Sequence, residues 1–255
     1  MKDWVRKGVF LVSLLVARTA ASGASQDTVR LATLEWPPYN SLSLPDGGVN
    51  TAVIRQAFEL AGYRLEIVSM PWMRSVQRGL HDPSFDGYFP EYLSPSVQRN
   101  CYVSAATGES PVVLAERKQS HLGVTAVSQL SRYLVGVVNG YNNTVEFDNA
   151  VASGKQPVDR ANSDEENLEK LSKGRVDLII IDENVMHWTL THSPALMPFA
   201  SSIEALQPPL IKQNLYVCFK RTRKGRKLAA DFNEGLRHVD VPSFVHGYLM
   251  ALPGR

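Results

Sequence analysis

Short apolar segments with strand character alternate along this chain with longer segments of helical periodicity. In the first third, strands are predicted at 29–34, 65–68 and 85–89, and helices at 51–61 and 73–80. Strands that alternate with helices in this way run parallel, and their connecting helices cover the sheet. The alternation therefore predicts an α/β fold built on a mainly parallel sheet.

The alternation restarts near residue 111. The further predicted strands are 111–115, 133–138, 176–181 and 215–219. The further predicted helices begin after the capping residue Ser163, cover 184–190, carry Leu228, Phe232 and Leu236 on one face, and follow Pro242. The junction between the two units lacks a Gly/Ser-rich linker, which favours two lobes joined by extended strands. We expect lobe 1 to comprise 27–112 and 213–255, and lobe 2 to comprise 113–212.

The first 24 residues show the features of an export signal in the expected order. A basic start is followed by the apolar run 9–17, and small residues at 22–24 match a cleavage site. The apolar run is shorter than the ~20 residues that span a bilayer. We therefore predict a signal peptide over 1–24 and a soluble periplasmic protein. The alternative is a buried N-terminal helix.

The charge balance argues against nucleic acid as a partner. The whole chain has a formal charge of +2, and the predicted signal peptide holds four basic residues and one acidic residue, so the mature chain has −1. A nearly neutral protein has no general electrostatic attraction to nucleic acid. The six histidines are scattered, and the sequence has no HExxH, GxGxxG, GxSxG or P-loop motif. We expect neither a metal nor a cofactor.

Two cysteines, Cys101 and Cys218, remain in the predicted mature chain. In an oxidising compartment they can pair as a disulfide. The alternative is that both are small buried hydrophobic residues. The sequence leaves the two readings equal.

The candidate site follows from where the predicted strands end. Ligands of open α/β sheets bind beyond the carboxyl ends of the strands. Arginine can hold a carboxylate by two hydrogen bonds, aspartate can bind an ammonium group, and aromatic faces can cover apolar parts. The candidate residues that follow the predicted strands are Glu35, Trp36, Tyr39, Trp72, Arg74, Glu91, Tyr141, Asn142 and Asp182. The set predicts a site for a small polar zwitterion.

Several weak motifs also occur in a recognisable order. They are Trp36-Pro37-Pro38-Tyr39, 70–74, Phe85-Asp86-Gly87, 94–99, 135–140, 171–177 and 232–236. With them, nearly all of the mature chain resembles the bacterial extracellular solute-binding proteins of the polar amino-acid type, known as family 3. The resemblance implies the type II periplasmic binding protein fold, in which two α/β lobes enclose a cleft.

The resemblance also implies roles for individual residues. Arg99 would hold the α-carboxylate of the ligand and Asp182 its ammonium group. Trp36 would stack on the ligand, Trp72 would form part of the wall, and the second-lobe loop with Tyr141 and Asn142 would donate hydrogen bonds. The chain departs from the family at Pro90, Glu91 and Tyr92, where amino-acid binders have small hydroxyl residues. These larger residues narrow the cleft and add an acid.

The function that the resemblance implies is capture of a small polar solute by hinge closure, for uptake by an ABC-type transporter. The partners would then be the ligand and a membrane permease, or a receptor if the protein is a sensory module without a transporter. We expect a monomer. The alternative from another class is a lyase similar to the cyclohexadienyl dehydratases on the same fold, with Glu35, Glu91 and Asp182 as acid and base.

Overall fold

The computed structural model describes residues 26–252. The predicted signal peptide 1–24 lies outside the described residues, as do residues 253–255. The chain begins with the elements of lobe 1. They are β1 (Asp27–Thr33), α1 (Val49–Leu60), β2 (Tyr63–Ser69), α2 (Trp72–His81), β3 (Gly87–Glu91), α3 (Pro95–Asn100) and β4 (Cys101–Val103).

A long strand then leads into lobe 2, and a second long strand returns. The elements are β5 (Gly108–Arg117), β6 (Val135–Val138), α4 (Val145–Ala152), β7 (Val158–Ala161), α5 (Asp164–Ser172), β8 (Leu178–Asp182), α6 (Glu183–His192), β9 (Ile203–Ala205), β10 (Ile211–Lys220), α7 (Arg223–Leu236) and α8 (Val241–Ala251). Within residues 26–252, no helix is long and apolar enough to cross a membrane.

The strands form one curled sheet in the order β2-β1-β3-β10-β5-β8-β6-β7, with β4 beside β10 and β9 beside β5. In lobe 1, β1 runs parallel to β2 and β3, while β10 runs antiparallel to β3 and β4. In lobe 2, β6 runs parallel to β7 and β8, while β5 runs antiparallel to β8 and β9. The predicted α/β class is confirmed, but the sheet is mixed rather than mainly parallel. Among the described strands, four of the nine pairings are parallel, and the five that involve β5 or β10 are antiparallel.

Two adjacent strands connect the lobes. The first half of β10 pairs antiparallel with β5, from Ile211 opposite Val112 to Leu215 opposite Gly108. The second half of β10 pairs with β3 and β4 of lobe 1. The chain therefore crosses between the lobes in two hydrogen-bonded extended strands. The lobe limits 27–112 with 213–255 and 113–212 remain a prediction.

Each half of the sheet has a hydrophobic core on both faces, because alternate strand residues point to opposite sides. In lobe 1, helices α1 and α7 cover one face, where Phe58, Phe219 and Phe232 pack with ring centroids 4.8–6.1 Å apart. Helix α2 covers the other face. In lobe 2, α5 and α6 cover one face through residues such as Leu168 and Leu190, and α4 lies on the other.

The two cysteines are joined. Cys101 opens β4 and Cys218 lies in β10, and they form a disulfide with their Cα atoms 5.3 Å apart. Both are buried beside the aromatic cluster of lobe 1. The disulfide therefore fixes β4 to the strand that returns from lobe 2.

Candidate functional site

The lobes meet where β1 and β3 end in lobe 1 and where β6, α5 and α6 end or begin in lobe 2. Two adjoining spaces lie in this region. The inner cavity has about 30 Å³, enough for one or two water molecules. The outer groove is open and has about 790 Å³. Both are lined by Leu34, Trp36, Trp72 and Tyr141, so the aromatic side chains separate the two spaces.

Trp36 and Asp164 join the two lobes from opposite sides. The segment after β1 turns back on itself, because the backbone of Trp36 pairs with that of Asn40, and this turn stacks Trp36 on Tyr39 at 4.7 Å. The Trp36 indole Nε1–H donates to Asp164 Oδ2 at 3.0 Å, and the Tyr141 hydroxyl donates to the same oxygen at 3.2 Å. Burial raises the pKa of Asp164 to about 6.

Asp182 has a structural role at the start of α6. Its Oδ1 accepts from the Val185 backbone N–H at 2.8 Å, which caps the helix. Its Oδ2 accepts from the Ser110 hydroxyl at 2.5 Å and from the Tyr39 hydroxyl at 3.0 Å. Burial raises the pKa of Asp182 to about 7. Asp182 thus ties the lobe 1 turn and β5 to lobe 2, and it lines neither the inner cavity nor the outer groove.

Glu91 ends β3 and lines the inner cavity. Its Oε2 accepts from the Tyr88 hydroxyl at 2.8 Å. Its Oε1 accepts from the Tyr92 backbone N–H at 2.8 Å and from Asn142 Nδ2 at 3.2 Å, so the last contact crosses from lobe 2. Burial raises the pKa of Glu91 to about 7. All of these donors are neutral, so Glu91 has hydrogen-bond partners and no counter-charge.

Trp72 begins α2 and contacts the loop after β6. Its indole Nε1–H donates to the Gly140 carbonyl at 3.0 Å, and its ring meets Tyr141 edge-on at 6.1 Å. Gly140 has φ +78°, and a Cβ there would overlap Met73 Sδ of lobe 1. The glycine is required by both its backbone conformation and the close approach of the two lobes.

Three predicted site residues lie away from the inner cavity. Arg99 is exposed on α3, and Val97 is the residue of that helix that packs beside Trp36 and Trp72. Arg74 is exposed on α2 and lines neither space. Glu35 is exposed on the rim of the outer groove, where it accepts from the Leu42 backbone N–H.

The structure does not bring Arg99 and Asp182 to a common cavity, and their joint contact with a zwitterion stays a prediction. Residues two apart on a helix point about 200° apart, so a buried Val97 directs Arg99 to solvent. Asp182 is occupied by three donors within the protein. The acid and base set of Glu35, Glu91 and Asp182 is not brought together either, because Glu35 lines the outer groove, Glu91 the inner cavity, and Asp182 neither.

Asp164 is the site residue that the sequence reading missed. In the sequence, Asp164 stands out only as part of a helix capping box. The strand before it, β7, is absent from the strands that the sequence predicts. Had the strand at 158–161 been recognised, the strand-end rule would have selected Asp164. Tyr88 and Ser110, whose hydroxyls donate to Glu91 and Asp182, were also missed, because the sequence does not show which distant side chains meet these carboxylates.

The ionisable side chains that line the two spaces are mainly acidic. The carboxylates that line them are Glu35, Glu91, Asp164 and Glu165. Among the described residues that line them, there is no lysine or arginine, and His192 is the one basic side chain. The site therefore combines acids with aromatic faces.

Comparisons with known proteins define the fold. No protein-family model matches the chain, and no curated protein matches it in sequence. Many solved structures match in fold. A histidine kinase sensor domain similar to periplasmic binding proteins has a TM-score of 0.75 at 14% identity, over 90% of this chain and 97% of its own. An ancestral arginine-binding protein bound to arginine has 0.72 at 15%, over 89% and 98%.

A third similar structure is the GluR0 ligand-binding core from Nostoc punctiforme in complex with L-glutamate. Its TM-score is 0.69 at 12% identity, over 86% of this chain and 96% of its own. The chain has the type II periplasmic binding protein fold, with two α/β lobes. The similar structures are binding proteins and a sensor domain, which agrees with the resemblance at the level of the fold.

Proposed function

We propose that this protein is an exported periplasmic solute-binding protein that holds a small polar solute between its two lobes. The observation that carries the proposal is the composition of the interlobe space, where aromatic and acidic side chains of both lobes converge on two adjoining cavities. Concave spaces with apolar walls and a few convergent polar groups are typical of small-molecule sites.

The hydrogen bonds between the lobes explain how binding would be coupled to closure. Trp36 donates to Asp164, Trp72 donates to the Gly140 carbonyl, and Tyr39 donates to Asp182. These contacts require the lobes to be together, whereas the lobes are linked covalently only through β5 and β10. A solute that touches both walls favours the closed state by its differential contacts, and the two strands act as the hinge.

The closed state can be tested at Gly140. A Cβ there points at Met73 and Trp72 of the opposite lobe. Met73 is exposed and can move aside for a methyl group, so a bulky side chain is needed, and Gly140→Phe opposes closure. Gly154 in lobe 2 also has positive φ, but a Cβ there meets nothing within 4 Å. Gly154→Phe therefore has the same backbone cost without the interlobe overlap, and it is the matched control.

The experiment measures solute affinity by calorimetry and the radius of gyration by small-angle X-ray scattering, using a panel of amino acids, amines, carboxylates and polyols. We expect one class to bind, to compact the protein, and to bind at least tenfold more weakly to Gly140→Phe than to Gly154→Phe. No binding by any class, or equal affinity of the two variants, would contradict the proposal.

The similar structures support two downstream partners. One is a substrate-binding protein of an amino acid ABC transporter, and another is a sensor domain of a histidine kinase. We propose that the closed protein delivers its solute to a membrane permease, with a receptor as the alternative. Genes for a permease and an ATPase next to the gene of this protein would support uptake. Cleavage after Ala24, measured by N-terminal sequencing of exported protein, would test export.

A further inference from the structure

Acidic and aromatic side chains line the inner cavity and the outer groove, and among the described residues neither space is lined by a lysine or arginine that could receive a carboxylate. We propose that the ligand of this interlobe site is an organic cation without a carboxylate group, an alkyl ammonium or guanidinium, held between Glu91 and Asp164. This inference rests on the proposed function and goes further by naming the class of solute. The zwitterion expected from the sequence is replaced by a cation.

The first support is that, among the described residues, no arginine lines the two spaces to bind a ligand carboxylate. Val97 is the residue of α3 that packs into the cluster with Trp36 and Trp72, and it is 6% exposed. Arg99 and Arg74 are exposed and line neither space. A carboxylate entering this site would lose water and gain no bidentate partner, which is a large cost for a buried charge.

The second support is the state of the two carboxylates. Glu91 and Asp164 are 6% and 5% exposed, and the side-chain and backbone groups that donate to them are all neutral. Burial raises both pKa values, and no lysine or arginine among the described residues that line the two spaces offsets their charge. A cation placed between them would supply that charge and recover the cost of removing the acids from water.

The third support is the geometry of the aromatic side chains. Trp36, Trp72 and Tyr141 line both the inner cavity, which contains Glu91, and the outer groove, which contains Asp164. A cation bound in either space would therefore be bordered by these indole and phenol side chains and by the carboxylate that lines that space. Aromatic faces attract cations, most strongly when water is excluded, and indole is the best of them.

The test uses pairs of probes that differ only by the α-carboxylate. They are 1,5-diaminopentane against lysine, and 4-guanidinobutylamine against arginine, with glutamate and succinate as anionic probes. We expect at least one amine to bind tenfold or more tightly than its amino acid, and the anions not to bind. If an amino acid or an anion binds more tightly than the matched amine, this inference is wrong while the proposed function stands. If none of these probes binds, this inference fails, and the proposed function fails with it only if the polyols of the wider panel do not bind either.

Variants identify the groups responsible. Glu91→Gln and Asp164→Asn keep shape and remove charge, so each should weaken the amine at least tenfold, whereas the exposed Glu146→Gln should leave it unchanged. Melting temperatures report folding of each variant. Unchanged amine affinity in both acid variants would overturn the inference.

Discussion

The two walls of the cleft differ in chemistry. The lobe 1 wall presents aromatic N–H and O–H donors, of which Trp36, Tyr39 and Trp72 reach across to lobe 2. The lobe 2 wall presents acceptors, namely the carboxylates of Asp164 and Asp182 and a backbone carbonyl. Both of these carboxylates lie at the N-terminal ends of helices, where the helix dipole favours negative charge. Two contacts run the other way, because Asn142 and Asn184 of lobe 2 donate to Glu91 and to the Tyr39 hydroxyl. The closed structure therefore joins mainly donors of lobe 1 to acceptors of lobe 2.

This difference shows which groups lose the most hydration free energy when the lobes close. Neutral indole and phenol groups lose little when they leave water for a good acceptor, whereas a carboxylate loses much of its hydration. The pKa values of Glu91, Asp164 and Asp182 are raised for this reason. The lobes also differ in covalent support, since the disulfide lies in lobe 1 and residues 113–212 contain no cysteine.

The largest expected effect is the loss of stability when the disulfide of lobe 1 is removed. The disulfide closes a loop with a sequence separation of 117 residues that includes all of lobe 2. Constraining the unfolded chain over such a loop stabilises a protein by about 4 kcal/mol. The double variant Cys101→Ser, Cys218→Ser should lose stability of this order in denaturant unfolding. Reduced wild-type protein is the matched comparison, and an unchanged unfolding midpoint in both would show that the bond contributes nothing.

A smaller loss is expected at Asp182, which has partners from both walls. Asp182→Ala leaves the Tyr39 and Ser110 hydroxyls and the Val185 N–H without their acceptor, which should cost about 3 kcal/mol. Asp240→Ala is the control, because Asp240 caps α8 at an exposed position and should cost about 1 kcal/mol. Equal losses, measured by urea unfolding, would show that the buried contacts of Asp182 add nothing to its cap.

Stability should also depend on pH through Glu91. Its pKa is 4.5 as an ordinary glutamate and about 7 in the folded protein, because burial disfavours the ionised form. The folded state thus holds the proton more tightly than the unfolded state. The resulting stability is fully present below about pH 4.5 and is lost as the pH rises through about 7. From pH 5 to pH 8, this group should reduce the free energy of unfolding by about 2 kcal/mol.

Glu91→Gln isolates this effect. The variant should lose stability less steeply than the wild type between pH 5 and pH 8 in thermal unfolding without ligand. Glu146→Gln, at an exposed position, should retain the wild-type slope. Asp164 and Asp182 contribute in the same direction, so some slope should persist in Glu91→Gln. Identical slopes in all three proteins would mean that Glu91 does not titrate in this range.

The sequence predicts the scaffold better than the site, for a physical reason. Strands such as 176–181 and the helix with Leu228 and Phe232 carry periodicities that a local pattern reveals. The site depends on which side of a short element faces inward. Helix α3 has six residues, and its sequence shows both Val97 and Arg99 without showing which is buried. Asp164 reads as a local cap, and its partner Trp36 is 128 residues away.

The smallest expected effect tests one hydrogen bond between the walls. Trp36→Phe keeps an aromatic ring on Tyr39 but removes the N–H that donates to Asp164, which retains the Tyr141 hydroxyl. Loss of one hydrogen bond to a charged group should cost about 1–2 kcal/mol. Trp188→Phe is the control, because Trp188 lines the outer groove and stacks on His192 within lobe 2.

If lobe 1 contributes donors to closure, Trp36→Phe should weaken solute binding about tenfold, whereas Trp188→Phe should change it little. The pKa of Asp164 should also rise further in Trp36→Phe, since one donor that lowers it is gone. Carbon-13 NMR of the labelled carboxyl group measures this directly. Equal affinities and an unchanged Asp164 titration would mean that the indole N–H does not join the two walls in solution, and the donor surface of lobe 1 would then serve only as an apolar cover.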